Sequence, residues 1–382
     1  MTGRPGRAGG GTAQAAPPHP AISRRERHRR ADPHGPGTPW WSRQPGLGVA
    51  GLVPVLVVAV LIGIGAGGAE PSLLVLAPLV TFALPMVSMI AFWWEDWPGT
   101  RLGPDWSGWA DTALIVAGGI VFALFGQAVV GHASFGAIFD PTPDNVELST
   151  FPVTMPLAGA AFVVMLELTL VSEHWPLRLW LKPIPAGLCA VVISWAVSIL
   201  LYVVLLGGTP FRGGGQGLVD PGKFGAALTF IGAWQVLLFV MWRGWPFNLV
   251  GRQWVRFVCA NVGTIGAGLL TYVILGDGFG LAVPTLTAIA GDFVAAGLVV
   301  GMLFEDALPA RWPAWLERTV SLLLTLVLGA VLHVLLLALA NSLHWDRGTP
   351  IDWVGHATLN ALGVSVILHV AIGRRWPFAR KN

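Results

Sequence analysis

Apolar stretches of about 20 residues recur along most of the chain, separated by short segments that hold charged residues, proline or glycine. A helix of that length crosses a hydrocarbon core about 30 Å thick, whereas an isolated strand would leave its backbone amides unpaired in lipid. The pattern therefore predicts an all-α, polytopic integral membrane protein with about ten transmembrane helices. The predicted spans are 46–66, 71–94, 109–130, 152–174, 183–207, 223–243, 253–275, 284–305, 316–340 and 353–374.

The composition agrees with this pattern and excludes a soluble domain. Hydrophobic residues make up 54% of the chain and charged residues 11%, whereas soluble proteins carry about 25% charged residues. Residues 1–45 are rich in glycine, proline and arginine and are predicted to form a disordered basic tail. The first apolar stretch begins too late and is too long for a secretory signal peptide. The predicted membrane domain covers 46–376, followed by a short basic tail, 377–382.

Basic residues are distributed unequally between the two sets of loops. Of 23 lysines and arginines, 20 lie in the N-terminal tail, in or beside the segments after the even-numbered spans, or at the C-terminus. Only Arg212, Lys223 and Arg347 lie on the other side. The positive-inside rule then predicts a plasma-membrane protein with both termini in the cytoplasm. Five tail arginines are expected to contact anionic lipid rather than nucleic acid: Arg24, Arg25, Arg27, Arg29 and Arg30.

A short motif recurs where each even-numbered span ends. It reads WEDWP, SEHWP, WRGWP, EDALP and, in shortened form, RRWP, and its prolines are separated by 78, 70, 63 and 68 residues. Proline cannot continue a helix, so it ends each span, and a near-constant period indicates a repeat. We predict five helical hairpins that enter the membrane in the same orientation and so form parallel repeats. Their approximate bounds are 46–108, 109–182, 183–252, 253–315 and 316–377.

An ionisable residue stands three positions before each of these prolines: Glu95, Glu173, Arg243, Asp306 and Arg374. One interpretation is a layer of interfacial ion pairs that align neighbouring hairpins. The other is a metal site, because carboxylates and imidazole are suitable ligands for a hard or borderline cation. Its candidate ligands are Glu95, Asp96, Glu173, His174, Glu305 and Asp306.

Two carboxylates lie well inside the predicted spans, Glu167 in the fourth and Asp292 in the eighth. Because an ionisable group in lipid is costly, each is a candidate for solute transport or proton coupling. The structural alternative is a protonated carboxyl that hydrogen-bonds a neighbouring helix. Asp292 also belongs to a weaker pattern seventeen positions before the prolines, which predicts an inward-facing small or polar layer: Thr81, Gly159, Thr229, Asp292 and Asn360.

Signals for a cofactor or for catalysis are weak. His333 and His356 could ligate a haem between facing helices, although a lone histidine in a membrane helix is more often structural. The chain has no Walker loop, H-E-x-x-H or G-x-S-x-G motif. Cys189 and Cys259 lie inside apolar stretches, where we expect small buried side chains and no disulfide. We therefore predict no catalytic residue and no resident cofactor, and an enzyme is the less expected class.

Buried carboxylates in a large helical bundle with little extramembrane structure favour a permease or channel-like transporter of a small solute or ion. Two alternatives remain at this stage. One is a non-catalytic assembly or scaffold subunit of a membrane complex. The other is a membrane-embedded enzyme that depends on a metal or a haem.

Overall fold

The computed structural model describes residues 39–143 and 149–378. The chain divides into a unit Met1–Trp40 and a unit Trp41–Asn382, and all the long helices belong to the second. The five tail arginines proposed to contact lipid, and residues 379–382 of the C-terminal tail, lie outside the described residues. The described residues contain helices and no β-strand.

Each of the ten predicted spans corresponds to a long helix, which we number α1 to α10. Nine are long and apolar enough to cross a membrane by length and composition, and the fourth, with 17 residues, is the short one. The fold class predicted from the sequence is therefore confirmed. The helices are α1 Gly46–Ile64, α2 Ala69–Trp93, α3 Asp105–Val129, α4 Met155–Val171, α5 Pro183–Leu206, α6 Pro221–Met241, α7 Gln253–Gly278, α8 Val283–Leu303, α9 Ala314–Ala340 and α10 Pro350–Ile372.

The even-numbered helices form an inner ring and the odd-numbered helices surround it. Around the ring α2 contacts α4, α4 contacts α6, α6 contacts α8, α8 contacts α10, and α10 contacts α2. Between 56 and 72% of the most apolar part of α2, α6, α8 and α10 is buried, against 11 to 33% for the odd-numbered helices. Outer helices expose aliphatic side chains such as Val327 and Val334, as expected for surfaces that face lipid.

Each outer helix packs against the inner helix that precedes it in the chain. Thus α3 packs on α2, α5 on α4, α7 on α6 and α9 on α8, while α1 packs on α10 and closes the arrangement. The two helices of one predicted hairpin are therefore not each other's main partners. Neighbouring hairpins interlock instead, so the ring is closed by packing between the two ends of the membrane domain.

The inner helices end with the same local geometry. Each finishes in a π-helical turn: Met89–Trp93, Glu167–Val171, Val236–Met241, Val299–Leu303 and Leu368–Ile372. The ionisable residue three positions before the proline then has a positive φ in all five, between 49° and 60°. Because non-glycine residues seldom adopt this conformation, its recurrence shows that the five positions are structurally equivalent. That the hairpins are copies of one unit stays a prediction.

A backbone hydrogen bond explains this conformation. In four of the five ends an amide N–H reaches back six residues, from Asp96 to Ile90, His174 to Leu168, Gly244 to Leu238 and Arg375 to His369. This bond spans one residue more than the one that closes many left-handed helix ends, as expected after a π-helical turn, and like that bond it accompanies a left-handed residue. We call this end of the helices, with the five prolines, the proline end, and the other the opposite end.

Among the described residues, the 3-10 turn Trp40–Ser42 precedes α1, and four short helices connect long ones. These are the 3-10 turns Gly99–Leu102, Gly136–Ile138 and Phe247–Leu249 and the α-helical turn Leu177–Trp180. Both cysteines are free. The expectation that both are buried is wrong, because Cys189 is half-buried on α5 and Cys259 is exposed on α7, and both helices belong to the outer ring.

Candidate functional site

The inner ring encloses a cavity of about 1050 Å³. Along most of its length the wall comes from α2, α4, α6, α8 and α10, and near the opposite end residues outside these helices, such as His132 and Tyr202, also contribute. The wall extends from Asp352 at the opposite end to Glu305 at the proline end. The cavity therefore follows the axis of the ring through the depth that the helices would occupy in a bilayer.

Glycines on the inner helices make room for this space. A Cβ atom added at Gly225 or Gly232 would meet no atom within 4 Å, and at Gly159 its nearest neighbour would be Leu228 Cδ1 at 3.8 Å. All three glycines line the cavity. Small residues in membrane helices commonly allow close helix packing, but these three face open space. Larger side chains here would fill the cavity.

Charged groups are confined to the two ends of the cavity. Of its described lining residues, only Asp220, Glu305 and Asp352 belong to the four charged types. Asp220 accepts a hydrogen bond from Lys223 N at 3.0 Å, and Asp352 Oδ2 accepts one from the Thr349 hydroxyl at 2.6 Å. Both carboxylates thus stand at the first turn of a helix, where acidic groups are favourable. The part of the wall between the ends is aliphatic and aromatic, with glycine and a few neutral polar groups.

The polar layer predicted seventeen positions before the prolines partly lines this wall. Thr81, Gly159, Thr229 and Asn360 line the cavity, and Asp292 is not among the described lining residues. The Thr81 hydroxyl lies 3.2 Å from Asn360 Oδ1 and thereby bridges α2 and α10. Four of the five residues at this position of the motif therefore line the cavity, and the fifth, the carboxylate Asp292, does not.

Asp292 faces an outer helix instead. Its Oδ2 lies 2.7 Å from His333 Nδ1 on α9, with 4% of the Asp292 side chain and 25% of the His333 side chain exposed. His356 is also engaged elsewhere, because its Nε2 lies 3.2 Å from the Ile62 carbonyl oxygen of α1. The two histidines considered as haem ligands therefore contact different protein groups.

Glu167 is buried at the start of the π-helical turn that ends α4. Neither of its carboxylate oxygens has a hydrogen-bond partner among the described residues. The nearby amide nitrogen of Gln235 on α6 donates instead to the Val163 carbonyl at 3.1 Å. Glu167, like Asp292, is not one of the described residues that line the cavity. Both transport candidates thus lie behind the wall, between helices.

A ring of ion pairs connects the chain segments at the proline end. Neighbouring inner helices are joined by Arg178–Glu95 at 3.2 Å, Arg374–Asp96 at 2.9 Å, Arg243–Asp306 at 2.8 Å and Arg375–Glu305 at 3.5 Å. Arg243 also lies 3.7 Å from Glu305, and Glu173 pairs at 2.8 Å with Arg256 on the outer helix α7. The five repeated ionisable residues are therefore all engaged in pairs between different helices.

The carboxylates considered as metal ligands at this end lie beside arginines, which supports the ion-pair interpretation. The described residues contain no group of three or more His, Cys, Asp and Glu placed to hold a metal ion. The reason is that Glu95, Asp96, Glu173, Glu305 and Asp306 each face an arginine rather than one another. The guanidinium groups balance the charge of these carboxylates.

Burial changes the proton affinity of two groups in this ring. The pKa of His174 falls to about 4, chiefly because the imidazole is buried and also because Arg178 lies near it. The pKa of Asp96 is raised by burial, although Arg374 opposes the effect. His174 is therefore neutral at physiological pH, which makes its edge contact with the Trp93 ring, at 4.6 Å between centroids, an apolar one.

Sequence reasoning identified the ends of the inner helices but missed the cavity. A signal was present, because Gly159, Gly225, Gly232 and Gly363 all lie on even-numbered spans, yet glycine in a membrane helix first suggests close packing. Comparison of the chain with protein-family models, with curated proteins and with solved structures gives no match.

Proposed function

We propose that the protein is a permease or channel-like protein and that its solute pathway is the central cavity. The observation that supports this proposal is the position of the cavity, which is enclosed by five apolar helices and reaches from one end of the inner ring to the other. A purely structural subunit has no need for such a space. The pathway would pass between Asp352 at one end and Glu305 at the other.

The wall also favours one class of solute. An ion stripped of water would meet aliphatic and aromatic side chains through the middle of the cavity, and a charge in such surroundings costs several kcal/mol or more. A small uncharged solute avoids this cost. We therefore propose an uncharged solute rather than an inorganic ion.

In this proposal Glu167 and Asp292 act in proton coupling and not as solute ligands, since both lie behind the wall. Protonation of either carboxyl would change how an inner helix packs, because Glu167 of α4 faces α6 and Asp292 of α8 bonds to α9.

A pH gradient across liposomes tests this role. Glu167→Gln and Asp292→Asn should abolish the effect of the gradient on solute uptake. Both should leave downhill equilibration intact, and a gradient effect that survives both changes excludes this role.

We further propose that the proline end and both termini face the cytoplasm of the plasma membrane, because basic residues concentrate there. Residues Arg24, Arg25, Arg27, Arg29 and Arg30 would then contact anionic lipid. Reporter fusions at the C-terminus and after Arg212 test the orientation. Cytoplasmic activity of the first and external activity of the second are expected, and the reverse pattern contradicts it.

Cysteine accessibility tests the pathway itself. In a background with Cys189→Ser and Cys259→Ser, single cysteines are placed at Gly232 and Thr229 in the cavity wall, and at Val262 on the lipid-facing side of α7 as the control. A small, uncharged, water-soluble thiosulfonate should modify the two cavity cysteines in liposomes at least about tenfold faster than Val262→Cys, whose thiol faces lipid and cannot ionise there. Protection of both cavity positions, together with no solute flux by light scattering, would favour a scaffold subunit over a permease.

A further inference from the structure

One inner helix differs from the other four in the middle of the membrane. Besides the π-helical turn at the proline end, α10 contains a second and longer π-helical segment, His356–Gly363. In the described residues of α2, α4, α6 and α8, the only π-helical segment is the one at the proline end. A π-helical insertion costs helix stability and occurs frequently at functional sites. This segment carries two polar residues of the cavity wall, His356 and Asn360.

Asn360 has hydrogen-bonding capacity that the protein does not use. The residue is 3% exposed and its only partner among the described residues is the hydroxyl of Thr81, 3.2 Å from Oδ1. An asparagine side chain offers two N–H donors and two acceptor sites. Whichever way the amide is turned, most of these sites remain unused. A polar group left unsatisfied in apolar surroundings costs free energy, and a ligand that satisfied it would recover that cost.

Thr81 fixes the position of this amide. The Thr81 hydroxyl oxygen also lies 2.7 Å from the Ala77 carbonyl, one turn earlier on α2, and the single hydroxyl proton serves either this carbonyl or Asn360 Oδ1. The threonine oxygen is therefore anchored to its own helix while it contacts Asn360 on α10. An amide held in this way is oriented before any ligand arrives, which lowers the entropic cost of binding.

His356 adds a second group, four residues before Asn360 on the same helix. A carbonyl oxygen can only accept, so His356 Nε2 carries the proton in the contact with Ile62. The other ring nitrogen, Nδ1, is buried and has no partner among the described residues. In the neutral ring that nitrogen is an acceptor. The π-helical segment thus carries two polar residues in an otherwise apolar wall, and because His356 Nδ1 has almost no accessible surface, the Asn360 amide is the group available to a ligand.

We propose that the π-helical segment of α10 is a binding site for an uncharged amphipathic molecule with one hydroxyl or carbonyl group. Its apolar body would lie against the aliphatic and aromatic wall, and its polar group would bond to Asn360, with Thr81 as a positioning residue. No lysine or arginine is among the described residues that line the cavity, so none could pair there with a phosphate or carboxylate. The volume of about 1050 Å³ exceeds what most drug-sized ligands need, so a long-chain or polycyclic alcohol or ketone fits this class. This inference rests on the proposed function, because it assumes that the cavity admits solute.

Photoaffinity labelling of the full chain in phosphatidylcholine liposomes tests the site. The probe is a long-chain alcohol with a diazirine in the chain and a terminal alkyne, and its reference is the same chain without the hydroxyl group. Labelled peptides from α2 and α10 are quantified by mass spectrometry. The wild-type protein should favour the alcohol over the hydrocarbon by about fivefold to tenfold, the factor that one hydrogen bond in an apolar site contributes.

The Asn360→Leu variant removes the amide at similar size and should bring this ratio close to one, mainly by loss of alcohol labelling. Asn261→Leu is the matched control, since Asn261 lies on the outer helix α7 and donates to Phe257 O and Ser172 Oγ. It should keep the wild-type ratio. If Asn360→Leu does not fold, as judged by its melting temperature, Asn360→Ala carries the same expectation without added branching.

Two results overturn the inference, and they differ in what else they affect. Equal labelling of the cavity wall by both probes, or a ratio that Asn360→Leu leaves unchanged, removes the polar site but keeps the proposed pathway. Absence of label from every cavity-lining residue, together with no modification of Gly232→Cys, removes the pathway and the site together.

Discussion

The ring of ion pairs at the proline end and the wall of the central cavity are built on the same five helices, but they use repetition in opposite ways. At the proline end every helix contributes an ionisable residue with the same backbone conformation, and all five are paired. In the cavity wall the equivalent positions differ, and only α10 carries a polar amide with unused capacity on a second π-helical segment. The position that recurs in all five helices forms ion pairs between helices, whereas the candidate binding residue, Asn360, lies on the helix that differs from the others.

The largest expected effect comes from filling the cavity. Gly232→Phe places a ring in space where an added Cβ meets nothing within 4 Å. Stability should hardly change, while equilibration of a small uncharged solute such as glycerol, followed by light scattering of liposomes, should fall by about tenfold or more because pore width limits passage. Gly266→Phe is the matched control: it also meets nothing within 4 Å but lies on the outer helix α7. Equal loss of flux in Gly232→Phe and Gly266→Phe would show that the cavity wall matters no more for solute passage than the outer surface does.

The next largest effect is a loss of stability at the proline end, and it should differ between the adjacent arginines Arg375 and Arg374. Arg375 donates to the Met302 and Leu303 carbonyls at 2.8 and 3.2 Å, and its side chain is 17% exposed. Arg375→Gln would remove one donor from each of two carbonyl groups at the end of α8, and Leu303 O would keep its bond from Gln44 Nε2 at 2.8 Å. We expect a loss of about 1.5 kcal/mol in the free energy of unfolding, mainly from the Met302 carbonyl. Arg374, which pairs with Asp96 and is 43% exposed, should lose only about 0.5 kcal/mol as Arg374→Gln.

Denaturant titration of the two variants checks this order. If Arg374→Gln costs as much as Arg375→Gln, then the repeated position itself, and not the capping of α8, carries the stability of this end.

A pH effect of intermediate size should arise at His174. Burial lowers its pKa to about 4 from an ordinary value of 6.5, so the folded state binds fewer protons than the unfolded state across this range. Its contribution to stability is therefore present above pH 6.5 and is lost as the pH falls from 6.5 towards 4. The melting temperature should decrease in this window, and His174→Gln should weaken that decrease. His344→Gln, an exposed histidine at the opposite end, should not, and a common slope for all three proteins contradicts the assignment.

The smallest effect is expected at the most exposed pair of the ring. Glu95 is 65% exposed and its pairing with Arg178 is screened by solvent. Glu95→Gln should change the free energy of unfolding by no more than about 0.5 kcal/mol and should leave solute flux unchanged. A double-mutant cycle with Arg178→Gln measures the coupling, and a coupling well above 1 kcal/mol would show that exposed pairs also hold the ring together.

Much of the fold could be predicted because the bilayer imposes simple rules on sequence. All ten predicted spans correspond to helices. The even-numbered ones end five or six residues before their prolines, just before the left-handed residue, so proline marks these ends without being the residue that stops the helix. Deviations occur where a local interaction extends a helix: α7 was predicted to end at residue 275 and continues through the π-helical turn Ile274–Gly278. The choice between ion pairs and a metal site could not be made, because spacing alone does not tell whether a carboxylate faces another carboxylate or an arginine.

The sequence by itself determined the membrane class, the number of helices and the five equivalent ionisable positions, because hydrophobic length and proline act within one segment. Only the tertiary structure decided which helices face inward, that Asp292 turns to His333 rather than to the cavity, and that Asn360 is left with unused hydrogen bonds. These properties depend on which helix lies beside which. Packing between segments distant in the chain is the information that periodicity within a single segment does not contain.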